Sequence, residues 1–236
     1  METRYADCNI KNMSTKFCYK FLNEKIALED RPFSGKYAFT GYFIDRQTEI
    51  KIWEKMIFCK YLDPKIQSYN FKLINKMIPT KKRMFEGQKD KPKKTVRNAF
   101  CCICRKNNLF FDETVEHLLL TCPLSNEIWN AINLALRRAG LQEINLVEFF
   151  RHVSKRLGLT FYQNWIISET IFILWKNRNQ QYYNRRSLEW REVLSKIRVK
   201  IETLSCHDRQ IMNPRKYNTL WSKLNTFLKY LTIPNV

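Results

Sequence analysis

The sequence predicts a mainly α-helical protein, built as helical bundles with one inserted CCHC zinc knuckle. Three observations carry that expectation. Glycine and proline are scarce, 5 and 7 among 236 residues, about 5% where roughly 12% is usual, so the chain has few tight turns to spend on sandwiches or barrels. Apolar residues recur three or four positions apart over long stretches, the spacing of one helix face. A compact set of cysteines and one histidine interrupts those stretches at metal-ligand spacing. The hydrophobic share of 44%, with 14% aromatic residues, supports a real core and excludes wholesale disorder.

The elements follow in chain order. Ser14 and Thr15 can cap a helix bearing Phe17, Tyr19, Phe21, Leu22 and Ile26. Phe33 to Ile44, with Tyr37, Phe39, Tyr42 and Phe43 around Gly35 and Gly41, is the one place for a hairpin or irregular loop. Ile50, Trp53, Ile57 and Tyr61 share a helix face, and Asp63-Pro64 supplies a cap and first-turn proline for a helix with Ile66, Tyr69, Leu73, Ile74 and Met77. Pro79-Thr80 ends it and starts a short successor with Met84 and Phe85. The stretch Lys81 to Arg97 holds eight Lys/Arg against Glu86 and Asp90, with Gly87 and Pro92 as helix breakers, and reads as a solvated loop between two helical portions.

Beyond the cysteine cluster, Pro123 opens the cleanest amphipathic helix, with Leu124, Ile128, Trp129, Ile132 and Leu136 on one side and Gly140 closing it. Asn145 caps a shorter helix with Val147, Phe149, Phe150 and Val153. Thr160 caps a longer one with Phe161, Trp165, Ile171, Leu174, Trp175 and Tyr182. Ser187 begins the next, with Leu188, Leu194, Ile197, Ile201 and Leu204. Asn213-Pro214 starts the last, with Tyr217, Leu220, Trp221, Leu224, Phe227 and Leu231. The expected organisation is an N-terminal helical portion over 1–86, a basic loop over 87–98, a zinc module with its following helix over 99–140, and a C-terminal helical bundle over 141–236.

The chemistry concentrates in Cys101-Cys102-Ile103-Cys104, His117 and Cys122, with twelve residues between Cys104 and His117 and four between His117 and Cys122. Two soft ligands on a turn, set against a His/Cys pair, present three thiolates and one imidazole to a tetrahedral Zn²⁺. Cys101, Cys104, His117 and Cys122 are the predicted ligands. Cys102 cannot easily share one tetrahedron with Cys101 and Cys104 and is left out. Thr114 as a helix cap puts His117 one turn in, with Leu118 and Leu119 packing inward. Four protein ligands leave no position for water, so the metal is expected to be structural. The competing reading is free buried cysteines with a core histidine; a redox Cys-x-x-Cys is disfavoured because no strand precedes it.

These residues resemble a known family. Cys101-x-x-Cys104, followed by Glu113-Thr114-Val115-Glu116-His117-Leu118-Leu119-Leu120-Thr121-Cys122-Pro123-Leu124 and Trp129, is similar to the zinc-binding domain C-terminal to the reverse transcriptase of non-LTR (LINE-type) retrotransposons. Trp53, Asp63-Pro64-Lys65 and Phe71 to Thr80 resemble the helix and turn preceding the ligands there, and Trp175-Lys176-Asn177-Arg178-Asn179 resembles the family's Trp-x-x-Arg-Asn helix. The resemblance implies a thumb- or connection-like N-terminal portion and a region that grips nucleic acid beside a polymerase, without catalytic residues of its own. A polymerase palm needs spaced carboxylates, which the chain before residue 50 does not supply; Tyr5-Ala6-Asp7-Cys8 resembles its signature only superficially. The expectation is a stand-alone derivative or a fragment of such an element.

Charge points the same way. With 42 Lys+Arg against 22 Asp+Glu, the net charge of +20 and pI near 9.7 favour a polyanionic partner. Lys81, Lys82, Arg83, Lys89, Lys91, Lys93, Lys94 and Arg97 form one basic group; Lys176, Arg178, Arg185, Arg186, Arg191, Lys196, Arg198 and Lys200 form another. Contacts to RNA or single-stranded DNA are predicted from Lys81, Lys82, Arg83, Lys91, Lys93, Lys94, Arg97, Lys176, Arg178, Arg185 and Arg186, with Tyr182 and Tyr183 placed to stack on unpaired bases. Solvated charged faces are the alternative for each. Lys91-Pro92-Lys93-Lys94 resembles a short nuclear import signal. A reverse transcriptase is the second candidate partner, through an interaction module. No apolar run reaches the ~18 residues of a membrane span and the start lacks a secretory signal, so no membrane partner is expected and an intracellular, nuclear or cytoplasmic setting is. His117, His152 and His207 form no His-Glu-x-x-His pair and Cys206-His207 no dyad, so no enzymatic activity is expected.

Overall fold

The computed structural model describes residues 62–74, 77–88, 95–145 and 160–231, all within one compact unit. The expected helices around 14–26, 50–61 and 146–153, and the expected hairpin over 33–44, lie outside the described residues.

Helix α1 (Pro64–Ile74) starts where the Asp63 carboxylate accepts the Lys65 backbone N–H at 2.8 Å, a proline-first start with an acidic cap. It buries Ile66, Tyr69 and Leu73. Met77 was expected on this face but lies past the helix end and is exposed. Helix α2 (Lys81–Glu86) is capped by Thr80, whose hydroxyl accepts from Arg83 N. This is the short successor expected with Met84 and Phe85, and the basic stretch read as solvated from Lys81 begins inside it.

Helix α3 (Cys102–Lys106) is a single turn. The chain then reverses through Asn108 at φ 58°, a left-handed conformation that asparagine tolerates better than most residues. It meets itself in an antiparallel bridge between Phe100 and Asp112, where Cys101 N–H donates to Phe111 O at 2.7 Å. The described residues contain no longer strand. A π-helical turn, His117–Thr121, leads directly into α4 (Pro123–Arg138).

Helix α4 buries Ile128, Trp129, Ile132 and Leu136 as its spacing predicted. It ends in a Schellman motif: Leu141 N–H donates to Leu136 O at 2.9 Å and Gly140 N–H to Arg137 O at 3.0 Å, with Gly140 at φ +66°. Helix α5 (Phe161–Asn184) begins with the Gln163 side chain reaching back to accept the Thr160 N–H at 3.0 Å. It closes at Arg185, φ 54°, a left-handed position where glycine is the usual residue and a side chain costs about 1 kcal/mol.

Helix α6 (Trp190–Ile211) starts three residues later than predicted from Ser187. The reason is Asn177, whose amide donates to Leu188 O at 3.2 Å and accepts from Leu188 N–H at 2.6 Å, holding that backbone extended. Helix α7 (Pro214–Tyr230) is capped by Asn213, which accepts from Arg215 N at 2.9 Å. α4, α6 and α7 pack against one another, and α5 packs against α1, α3, the π turn and α6. One continuous apolar core runs from Leu62 to Leu231 and includes Cys101, Cys104 and Cys122. No helix among the described residues is long and apolar enough to cross a membrane.

Candidate metal centre

Cys101, Cys104, His117 and Cys122 bring one ligand atom each to within 4.8 Å of one another, all four residues buried. Cys104 Sγ lies 3.6 Å from Cys122 Sγ and 3.3 Å from His117 Nε2. Two sulfurs each about 2.3 Å from a tetrahedral zinc are about 3.8 Å apart, so this donor set fits the ion closely.

Local structure explains the placement. Arg105 N–H donates to Cys101 O at 3.0 Å and Leu109 N–H to Cys104 O at 3.1 Å, winding the first two ligands around one turn. Thr114 accepts from His117 N at 2.9 Å, the cap expected of it. The i→i+5 bond from Cys122 N–H to His117 O, 2.6 Å, is what makes the turn π-helical, and it folds the fourth ligand back over the third. Two further carbonyls of the turn are satisfied from α4: Ser125 Oγ donates to Leu118 O at 2.6 Å and Trp129 Nε1 to Leu119 O at 2.8 Å. Leu118 and Leu119 point into the core. Thr121 Oγ1 lies 3.3 Å from His117 Nδ1, holding the ring with Nε2 toward the sulfurs.

Hydrogen bonds, chiefly from Cys104 and then Cys122, push Cys101 far below the usual thiol range. The hydrogen bond to Cys101 pushes Cys104 up to about 12 and Cys122 further still. Such a cluster holds three thiolates together only with a cation at its centre, and four protein donors fill a tetrahedral ion's coordination. Cys102 stands apart as expected: its Sγ lies 3.6 Å from Glu113 Oε2 and 3.6 Å from Arg178 O, and burial, then the Glu113 charge, push its thiol up to about 12.

The residue that sequence reasoning missed is Glu113, fully buried beside the ligands. Its Oε1 accepts from Arg178 Nε at 2.9 Å and Nη2 at 2.5 Å, and from Lys81 N–H at 2.8 Å; Oε2 accepts from Cys102 N–H at 3.4 Å. Arg178 also donates to Pro79 O at 3.4 Å and Asn179 Oδ1 at 2.9 Å, and its guanidinium lies 5.0 Å from the Trp175 ring and 4.7 Å from the Tyr182 ring. This hub ties α2, the ligand turn and α5 together. The predicted nucleic-acid role of Arg178 is corrected: at 1% exposure its charge is consumed by Glu113 and cannot reach a phosphate.

The other predicted contacts divide. Lys81 is buried with Nζ donating to Asn98 Oδ1 at 2.8 Å, and burial pushes its ammonium below the usual lysine range against the pull of Glu113; it too is corrected as a surface contact. Lys82 pairs with Asp112 at 3.0 Å. Tyr182 is half-buried with Arg178 over its ring, while Tyr183 is 71% exposed. Arg83, Arg97, Lys176, Arg185 and Arg186 are exposed. Lys91, Lys93 and Lys94 lie outside the described residues. Arg105 and Lys106, unassigned from sequence, are exposed beside Arg185 on the rims of shared surface grooves; their position directly after a metal ligand was the available signal.

No curated protein and no solved structure matches the chain. Residues 33–129 match the family described as zinc-binding in reverse transcriptase. All four clustered ligands fall inside that span, so family and geometry together point to structural zinc. Over residues 33–129 the chain is thus similar to the zinc-binding domain that this family describes.

Proposed function

We propose that the protein is a non-catalytic, zinc-stabilised nucleic-acid-binding protein derived from the C-terminal region of a LINE-type reverse transcriptase. The observation that carries this reading is the meeting of two cationic pairs far apart in sequence. Arg105 and Lys106 follow the ligand Cys104, Arg185 and Arg186 follow the end of α5, and Lys106 and Arg185 line two adjoining grooves, one also bordered by Arg186 and the other by Arg105. Lys106 Nζ reaches Ser187 Oγ at 3.5 Å. In a chain of net charge +20, such a concentration of exposed cations suits a phosphate backbone. RNA and single-stranded DNA are the favoured ligands. The test is fluorescence anisotropy of the zinc-loaded chain with single-stranded RNA, matching DNA and a duplex from about 50 to 300 mM salt. Sub-micromolar binding near physiological salt with a steep log-log slope is expected; weak binding lost alike for all three by about 150 mM overturns the reading.

A second reading has its own observation. Phe110 and Phe111 are 63% and 50% exposed next to Leu109 at the tip of the ligand turn, an apolar point that suits docking on a protein such as a reverse transcriptase. Capture of a purified polymerase that survives nuclease and high salt favours that module.

A further inference from the structure

The groove around Lys106 has two chemically different ends. Toward the turn after α5 it is open and basic, with a cavity of about 560 Å³ bordered by Lys106, Arg185, Arg186 and Lys196. The one carboxylate on that rim, Glu192, is engaged in accepting the Glu189 N–H at 2.8 Å. Toward the metal turn it narrows to about 210 Å³ between Ile103, Leu109, Leu124 and Trp190. Lys106, Ser187 and Leu188 line both, so one ligand can cross from one end to the other. The narrow end falls below the ~300–1,000 Å³ of pockets that take a drug-sized molecule, and suits a single planar ring system. Glu127 and Glu189 border this end and repel phosphate from it.

From this difference in charge we propose that the groove is a binding site for one unstacked nucleotide of a single strand, with phosphates along Lys106, Arg185, Arg186 and Lys196 and the base in the narrow slot beside Trp190. The proposal rests on the nucleic-acid reading above and adds its strandedness and path. A duplex keeps its bases stacked and cannot fill the slot; a free strand can. Arg185 sits where glycine is the unstrained choice, and its left-handed backbone sets the course of the chain into Arg186. The metal matters here because Lys106 lies two residues beyond Cys104, on the turn that the ion fixes.

The test compares the full zinc-loaded chain on four fluorescent probes: a single-stranded RNA, the same sequence in DNA, an abasic strand of equal phosphate count, and a duplex. The intact single strands are expected to bind about tenfold more tightly than the abasic strand, and more tightly than the duplex. The double variant Lys106→Gln/Arg186→Gln, both surface positions, is expected to weaken single-strand binding about tenfold and flatten the log-log salt slope by about 1.4. Equal affinity for intact and abasic strands overturns the base slot while leaving the nucleic-acid reading intact. An unchanged double variant overturns the groove as the path, again without touching that reading. Failure of every probe to bind wild type overturns both. The RNA and DNA arms tell which sugar the strand carries.

Discussion

Replacing Arg178 by methionine separates a structural arginine from a ligand-binding one. Methionine fills much of the same volume but leaves Glu113, with no exposed surface, as a buried carboxylate with no cation, held by the backbone N–H groups of Lys81 and Cys102 and the Cys102 thiol. Breaking a buried pair from one side costs about 3–5 kcal/mol. For a chain of this size each kcal/mol lowers Tm by roughly 2–4 °C, so a fall of about 6–20 °C is expected in calorimetry. The double variant Glu113→Gln/Arg178→Met removes the stranded charge as well and is expected to melt above Arg178→Met alone. Zinc per chain, measured by atomic absorption at 25 °C, stays unchanged because neither residue is a ligand. A Tm within about 2 °C of wild type, the behaviour of a surface arginine, refutes the hub; so does a double variant that loses the sum of the two single effects.

Three further outcomes follow from the same structure. Cys104→Ser is expected to lower zinc content and Tm together, since a structural site couples metal affinity to folding; zinc lost with an unchanged melting curve counts against a structural metal. Glu169 is held near 7, above the usual carboxyl range, by burial, with the Lys200 charge opposing. Its folded value is raised, so its contribution is complete below about pH 4.5 and is lost as pH rises through 7. Glu169→Gln is therefore expected to gain on the order of 2 kcal/mol over wild type at pH 8 and little at pH 4, read from urea midpoints. Gly140→Ala is expected to cost about 1 kcal/mol, because its φ of +66° disfavours a side chain although nothing lies within 4 Å of an added Cβ.

How much was legible in the sequence depended on the range of the forces involved. Caps act within a turn, so Pro123, Thr160 and Asn213-Pro214 marked their helices directly. Metal ligands on short turns keep a recognisable spacing, and all four were readable. Arg178 was misread because its partner, Glu113, lies 65 positions away, and an arginine among basic neighbours looks like a surface charge. The burial of Lys81 has the same origin. Met77 continued the periodicity of α1, yet apolar spacing says nothing about where backbone bonding stops. The π turn escaped because a shift from i→i+4 to i→i+5 leaves no mark on composition; the Trp129 and Ser125 donors that stabilise it sit on the next helix.

The long reach from Glu113 to Arg178 also sets an order of events on the ribosome. At about 5–20 residues per second, roughly 3–11 s separate synthesis of Cys122 from that of Arg178. All four ligands are thus made while the carboxylate beside them has no guanidinium to meet. Closing a loop of that length costs about 4 kcal/mol of chain entropy, which an ion already seated on the nascent turn helps to offset by fixing one end. The order of synthesis thus lets metal capture precede helix docking, and a cell short of zinc during those seconds forgoes the help of that fixed end.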